Sequence, residues 1–303
     1  PVSYLSTLYS HPEWLGRELL TVLGSEETAR LLAANNGPAP ITAMVNIAKT
    51  TMEELSAALE EEGVQTRPHP WLANCLILSK TGSLERLSTF RDGLFYIQDP
   101  ASRLAVLALD PKPGMKALDC CAAPGGKSFA AAIRMEGTGE VISCDLHPHK
   151  KKLIQAGADR LGLKSITPMT ADGKAFRPEW ENVFDRVLVD APCSGLGVIR
   201  KKPDIRYKDP APLTDLPRVQ RAILDNAARY VKPGGVLVYS TCTLLRRENE
   251  EVALGFLSDH PAFQAEGFPL PEYAGDARTG MLTLWPHRQG TDGFFICKLR
   301  KEE

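Results

Sequence analysis

Two cysteines stand in segments whose residue types can carry covalent chemistry. Cys193 follows Asp190-Ala-Pro and precedes Ser194-Gly195, and Cys242 lies within Ser240-Thr-Cys-Thr243. A thiolate is a strong nucleophile once its ordinary pKa of about 8.5 is lowered by nearby positive charge or hydrogen bonds. Lys127, Arg246 and Arg247 are the candidate sources of that charge. Taken singly, a cysteine reads as a small buried hydrophobe, and that reading suits Cys75, Cys144 and Cys297. Cys193 and Cys242 differ because each follows an apolar, strand-like run, Val187–Val189 and Val236–Tyr239. Both thiols should therefore sit just past strand carboxyl ends.

A third segment belongs to the same rim. Asp119-Cys-Cys-Ala-Ala-Pro-Gly-Gly-Lys127 falls between an expected strand and an expected helix. Glycines there let backbone approach a ligand, and a helix N-terminus offers unpaired N–H groups. A lone Gly-Gly would mark a plain turn. Here Asp145, Asp172 and Asp190 also fall near strand ends. An acidic residue about 20 positions past such a loop takes ribose hydroxyls. The loop lacks both the G-x-G-x-x-G order and a phosphate-loop ending. A nucleoside-type ligand without a pyrophosphate fits it best.

These segments need a scaffold. From about residue 101 the chain alternates strands (116–121, 140–144, 165–170, 184–190, 236–240) with helices (127–135, 150–161, 217–230, 248–257). A last apolar strand runs over 293–299. Such alternation predicts a parallel sheet covered by helices on both faces. Residues 1–100 read as a small α+β domain, with helices at 11–23, 25–34 and 51–62 and strands at 41–47 and 75–78.

Charge is balanced, 36 basic against 37 acidic residues in 303, so net charge gives no argument for nucleic acid. The local run Arg200, Lys201, Lys202 and Arg206, beside Cys193, reads either as a solvated face or as phosphate contacts, and its position favours the second. His147, His149 and Lys150–Lys152 read as surface charge. Seven cysteines, an odd number without C-x-x-C spacing, predict reduced thiols in a cytoplasmic setting and no metal. No apolar run approaches the roughly 20 residues that span a membrane, and no signal segment is visible. The chain begins with Pro1, as expected of a processed protein or a piece of a longer one.

Taken together, Cys121-Ala-Ala-Pro-Gly-Gly-Lys127, Asp190-Ala-Pro-Cys-Ser-Gly195 and Ser240-Thr-Cys-Thr243 resemble three signature motifs of the Sun/nucleolar-protein family of RNA 5-methylcytosine methyltransferases. Val198-Ile-Arg200, Pro203-Asp-Ile-Arg206, Tyr230–Val236, Trp285-Pro-His287 and Asp292-Gly-Phe-Phe295 are similar to its bacterial branch, which modifies small-subunit ribosomal RNA. Ser10–Leu15 and Ala34-Asn-Asn36 resemble that branch's linker domain.

The resemblance implies a Rossmann-like class I methyltransferase fold. Its mostly parallel, seven-stranded sheet would occupy 101–303, behind an α+β linker or RNA-binding domain at 1–100. It implies S-adenosylmethionine as cofactor, held by Cys121, Ala122, Ala123, Pro124, Gly125, Gly126, Lys127, Asp145 at the ribose, Asp172 at the adenine amine, and Asp190. Cys242 would add to C6 of cytosine, Cys193 would assist release, and Asp190 would bind the cytosine edge. The partner would be RNA, ribosomal rather than transfer RNA, and the protein a monomer. A non-catalytic RNA-binding assembly factor is the alternative of another class, and the presence of Cys193, Cys242 and Asp190 argues against it. Three departures stand out. The helical N-terminal RNA-binding domain usual in the branch is not in this sequence, as expected of a piece of a longer protein, Met44 replaces an arginine usual before Val45-Asn46, and Asp209–Pro217 looks like a longer or altered loop.

Overall fold

The computed structural model describes residues 2–303. The chain opens with two helices, α1 (Val2–Tyr9) and α2 (Glu13–Asn35). Gly24, at φ 74° and ψ 179°, breaks α2 between the two helices expected there. Next come β1 (Ile41–Val45), α3 (Met52–Glu61), β2 (Gln65–Pro68), β3 (Cys75–Ser79), α4 (Ser88–Arg91) and β4 (Phe95–Ile97). The strands form an antiparallel sheet in the order β2-β3-β1-β4, a split β-α-β-β-α-β unit. Thr51 starts α3 with a capping box, exchanging backbone and side-chain bonds with Glu54 at 3.2 and 3.0 Å.

The larger sheet begins after helix α5 (Pro100–Leu109), which the apolar pattern alone did not announce. Its strands and helices are β5 (Lys116–Asp119), α6 (Gly126–Arg134), β6 (Glu140–Asp145), α7 (Pro148–Leu161), β7 (Ile166–Thr170), β8 (Phe184–Asp190), α8 (Leu216–Ala228), β9 (Val231–Thr241), α9 (Glu250–Asp259), β10 (Phe263–Ala265), β11 (Met281–Leu284), α10 (Pro286–Gln289) and β12 (Phe294–Lys301). Seven strands lie in the order β10-β12-β9-β8-β5-β6-β7, and an eighth, the short β11, pairs with β12. The five from β7 to β9 are parallel, and β10 and β12 are antiparallel. Alternate residues of β8 face opposite layers. Val187 and Val189 pack with Ile223 of α8 and Phe256 of α9, whereas Leu188 packs with Leu104 and Ala108 of α5.

The strand order reverses between β5 and β8. Ligands of such sheets bind in the crevice outside the strand carboxyl ends at that switch point. The Gly-rich loop leaves β5 there, and the Asp190–Cys193 segment leaves β8 there.

Residues 1–100, expected as one unit, divide by their packing. Residues 41–97 make the antiparallel sheet, while α1 and α2 pack elsewhere. Leu15, Leu19, Leu31 and Leu32 are buried against Leu196, Ile199, Leu244 and Leu245, which belong to the two cysteine loops. Arg206 pins this seat. It is buried, and its guanidinium donates to the Ser10 carbonyl at 3.1 Å and to Asn36 Oδ1 at 2.8 Å. Among the described residues, no helix is long and apolar enough to cross a membrane.

His11 lies in the same seat, its Nδ1 2.7 Å from the Tyr9 carbonyl. Burial, helped by the Arg206 charge, pushes its pKa down to about 4 despite the Tyr9 bond. An unfolded histidine titrates near 6.5. The unfolded chain therefore binds the extra proton first, and stability falls as pH drops from about 6.5 to about 4. Denaturant midpoints of wild type and His11→Gln should differ most above pH 7 and converge toward pH 4. A constant gap would contradict the buried neutral imidazole.

Candidate active site

A cavity of about 300 Å³ opens at the switch point, lined by Cys121, Ala123, Asp145, Asp172, Asp190 and Ile223 among others. Of the residues expected around the cofactor, Ala122, Pro124, Gly125, Gly126 and Lys127 do not line it. They shape the loop instead. Gly125 has φ 115°, and a Cβ there would stand 2.3 Å from the Phe129 ring. The Ala122 N–H bonds the Cys144 carbonyl at 2.7 Å, fixing the loop on β6. Cys144 itself points into the core, opposite to Asp145, as its place in the strand predicts.

Asp145 ends β6 and is 6 % exposed. Its carboxylate accepts the His147 N–H at 3.2 Å and lies 3.6 Å from Lys150 Nζ. Asp172 is exposed at the cavity edge and accepts the Lys174 N–H at 2.9 Å. Leu146, Val219 and Ile223 supply apolar wall that the sequence reading missed. Leu146 offered a signal, because a leucine 54 % exposed beside a strand-end aspartate is poorly explained by packing.

The two cysteines converge. Cys193 Sγ and Cys242 Sγ are 3.3 Å apart, each half-buried. The hydrogen bond from Cys193 is the largest influence on Cys242 and lowers its pKa. Burial and the Asp190 charge act the other way, and Lys127 helps to lower it. The same bond, then burial, pushes Cys193 well above an ordinary thiol. The two shifts run in opposite directions and favour a proton on Cys193 over one on Cys242.

Asp190 stands beside them, its two oxygens held by different elements. Lys127 Nζ lies 2.7 Å from Oδ2, and Ser240 Oγ donates to Oδ1 at 2.8 Å. Burial is the largest influence on the Lys127 ammonium and lowers its pKa, but the Asp190 charge, the Asp190 hydrogen bond and the Asp119 charge together outweigh it, and the net direction is upward. Asp119, at the start of the loop, also escaped the sequence reading. It is buried, accepts the Ser128 hydroxyl at 2.8 Å, and is pushed up to about 7 by burial and then, against that bond, by the Asp190 charge.

Backbone contact holds the cysteine loops together. The Gly197 N–H donates to the Cys242 carbonyl at 2.9 Å, and the Gly293 N–H donates to the Gly197 carbonyl at 2.8 Å. A Cβ on Gly197 would stand 1.9 Å from the Gly293 oxygen, so no other residue fits that crossing.

The basic run needs correction. Arg206 is buried under α1 and α2 rather than presented to phosphate. Arg200 donates to the Gly290 and Thr291 carbonyls at 2.8 Å each. Lys201 bridges Asp99 at 2.7 Å and Asp292 at 2.8 Å. Three of the four cations bond acceptors of their own chain. The Lys202 side chain is exposed and makes no hydrogen bond or ion pair among the described residues.

Comparison with known proteins bears on the same residues. A sequence model described as "16S rRNA methyltransferase RsmB/F" matches residues 106–300, and one described as "Methyltr_RsmF/B-like, ferredoxin-like domain" matches residues 11–85. The chain is 44% identical to a probable ribosomal RNA small subunit methyltransferase B of Bacillus subtilis, across all of this chain and 69% of that protein. It is 34% identical to a ribosomal RNA small subunit methyltransferase F of Klebsiella pneumoniae, across 89% of this chain and 59% of that protein. A solved methyltransferase homolog protein from Pyrococcus horikoshii superposes with a TM-score of 0.85 at 27% identity, covering 99% of this chain and 98% of that one. NSun6 from Pyrococcus horikoshii, solved with SFG, shares the fold at a TM-score of 0.83 and 23% identity, over 95% and 97% of the two chains.

Removing the Lys127 charge should raise the Cys242 pKa, because a lowering influence goes and the raising influence of Asp190 is left unbalanced. In Lys127→Met, the pH profile of Cys242 alkylation by iodoacetamide should move to higher pH. An unmoved profile would remove Lys127 from the activation of the thiol.

Proposed function

The chain belongs to the RsmB/F family of 16S rRNA methyltransferases, and from its site we propose a transfer of methyl from S-adenosylmethionine to C5 of a cytosine in small-subunit ribosomal RNA, through a transient bond from Cys242 to C6. One observation carries this reading. Two sulfurs 3.3 Å apart stand beside Asp190, whose carboxylate is clasped by Lys127 and Ser240, at the rim of the cavity after β5.

The cavity suits the cofactor by the chemistry of its lining. Asp145 can accept ribose hydroxyls, Asp172 the adenine amine, and Leu146, Val219 and Ile223 can cover the ring. The 121–126 backbone and the N-terminus of α6 offer N–H groups to the amino-acid end. Bound there, S-adenosylmethionine supplies an electrophilic methyl group on a sulfonium.

The chain's own residues do the rest. The Cys242 thiolate adds to C6, which breaks the C5–C6 double bond and makes C5 nucleophilic. A carboxylate accepting from the exocyclic amine distinguishes cytosine from uracil, and Asp190 takes that place. Lys127 and Ser240 each use one lone pair on Asp190, and a carboxylate has about four such sites, so acceptor capacity remains.

After methylation C5 carries a proton that must leave. Once Cys242 is bonded to carbon, it no longer accepts the Cys193 proton, and the largest cause of the raised Cys193 pKa is gone. Cys193 can then release its own proton to solvent and, as thiolate, take the C5 proton. The freed electron pair re-forms the double bond and expels Cys242 as thiolate. The target cytosine must be unstacked to reach the thiols, as in a loop or an opened strand. Lys202 is the cation left to meet nearby phosphate. A ribosomal RNA substrate also places the protein in the cytoplasm, where its cysteines stay reduced.

Cys242→Ala should abolish methyl transfer while calorimetry shows S-adenosylmethionine binding retained. Cys193→Ala should accumulate a protein–RNA adduct on a denaturing gel, and adding Cys242→Ala should remove it. Absence of the adduct would refute the release role of Cys193. Asp145→Ala should weaken cofactor binding by about 10- to 100-fold, the equivalent of one hydrogen bond to a charged group. Unchanged affinity would take Asp145 out of the ribose site.

A further inference from the structure

Neither cysteine loop is held only by itself. The segment after β9 turns through a short 3-10 helix, Arg246–Glu248, into α9, and places two buried polar residues side by side, Glu248 at 0 % and Asn249 at 1 % exposure. Glu248 Oε2 accepts the Ser194 N–H, next to Cys193, at 2.9 Å, and the Gln220 amide at 2.9 Å. Gln220 also donates to the Pro192 carbonyl at 3.0 Å, on the other side of Cys193. Asn249 treats Cys242 alike. Its Nδ2 donates to the Thr243 carbonyl at 3.0 Å, and its Oδ1 accepts the Thr241 hydroxyl.

We propose that Glu248 and Asn249 are positioning residues for methyl transfer, one gripping the Cys193 loop and the other the Cys242 loop, so that the two sulfurs meet at 3.3 Å. This rests on the roles given above to the two cysteines.

Two features separate this arrangement from ordinary packing. Asparagine is a favoured N-cap, and Asn249 occupies the N-cap of α9, yet its side chain makes no capping bond there. It forgoes roughly 1 kcal/mol of helix stabilisation and spends both polar atoms around Cys242. Glu248 is a fully buried carboxylate whose Oε1 has no partner among the described residues. Burying a carboxylate with an unpaired oxygen is unfavourable, and a glutamine would accept the Ser194 N–H without burying a charge. What the carboxylate adds is negative charge close to Cys193. That charge joins the Cys242 bond and burial in holding the Cys193 thiol protonated, as a donor must be. The grips are coupled, because Ser194 Oγ and Thr243 Oγ1 lie 2.7 Å apart and the Tyr239 hydroxyl donates to the Glu248 carbonyl. Two adjacent residues on one rigid turn thus fix two loops whose cysteines lie 49 positions apart.

The test is the pH profile of Cys242 alkylation by iodoacetamide, read by mass spectrometry on the intact chain. The variants are Asn249→Ala, Glu248→Ala, Glu248→Gln and Thr241→Val, with cofactor affinity measured by calorimetry. In both alanine variants the Cys193–Cys242 hydrogen bond should loosen. The profile should then shift to higher pH, with alkylation at pH 7 slowed about tenfold through the loss of thiolate. Cofactor affinity should stay within about twofold, since no cavity residue is touched. Glu248→Gln should recover most of the rate, because an amide oxygen still accepts the Ser194 N–H. Should an alanine variant fail to fold, Thr241→Val removes only one hydroxyl from the Asn249 grip and should shift the profile in the same direction. Unshifted profiles in the folded variants, over an acidic wild-type profile, would overturn the positioning role alone. A wild-type profile like that of an ordinary thiol would instead overturn Cys242 as the activated nucleophile.

Discussion

The ion pair between Lys127 and Asp190, 2.7 Å across the crevice where the strand order reverses, is the contact on which the site depends. It joins the loop after β5 to the end of β8, the two places from which cofactor and base must be held. It also solves an electrostatic conflict. Asp190 raises the pKa of both cysteines, yet it must stand within reach of a thiolate. The Lys127 ammonium on Oδ2 offsets that repulsion. A partly buried pair is weak support for stability, since desolvation works against attraction. Its retention here is explained better by charge placement than by folding energy. Lys127 Nζ also lies 5.2 Å from the Phe294 ring of β12, which carries the same contact to the last strand of the sheet.

Around this pair, geometry is enforced from outside the sheet. The cysteine loops contribute Leu196, Ile199, Leu244 and Leu245 to one apolar cluster with α1 and α2. Each such leucine is worth about 1.5–3 kcal/mol when fully buried. The N-terminal helices therefore brace the catalytic loops, although they precede the antiparallel domain in sequence. Arg206 belongs to that brace, which is why a cation beside the active site is not available to RNA.

Much of this was legible in the sequence. The parallel strands are short apolar runs ending in Asp or Cys, and a strand's carboxyl end in such a sheet is a place for chemistry. Hence Cys193, Cys242, Asp145, Asp172 and Asp190 could all be set on one rim before any coordinates. The losses have physical causes. The edge strands β2, β4 and β11 are three or four residues long, too short for a period to show. Helix α5 is apolar on most sides because it lies buried under the sheet, but Asp99-Pro100, an N-cap followed by proline at the first helical position, did mark its start. The direction of a lysine or arginine is invisible to counting, so Arg200, Lys201 and Arg206 read as a patch when they are internal ties. Glu248 and Asn249 fell inside or beside an expected helix, where nothing local separates a surface pair from a buried one.

In the proposed mechanism, a proton shared between Cys193 and Cys242 is the reason for using two thiols. A lone cysteine that attacks C6 must also be expelled, and the low pKa that favours expulsion weakens it as a nucleophile. In the proposed reaction the hydrogen bond from Cys193, which lowers the Cys242 pKa, favours the Cys242 thiolate before attack. Bond formation then removes the acceptor for that proton and frees Cys193 to ionise at the stage when a base is required. Expulsion of Cys242 restores the acceptor, and the returning hydrogen bond stabilises the departing thiolate. Apart from the proton that Cys193 gives up to solvent, each step sets the protonation state that the next one needs, provided that the sulfurs remain within hydrogen-bond reach. At 3.3 Å they do, and a slack of even an ångström between the two loops would uncouple them. The rigidity of the crossing at Gly197, the apolar brace and the buried polar contacts behind the loops all act on that one separation.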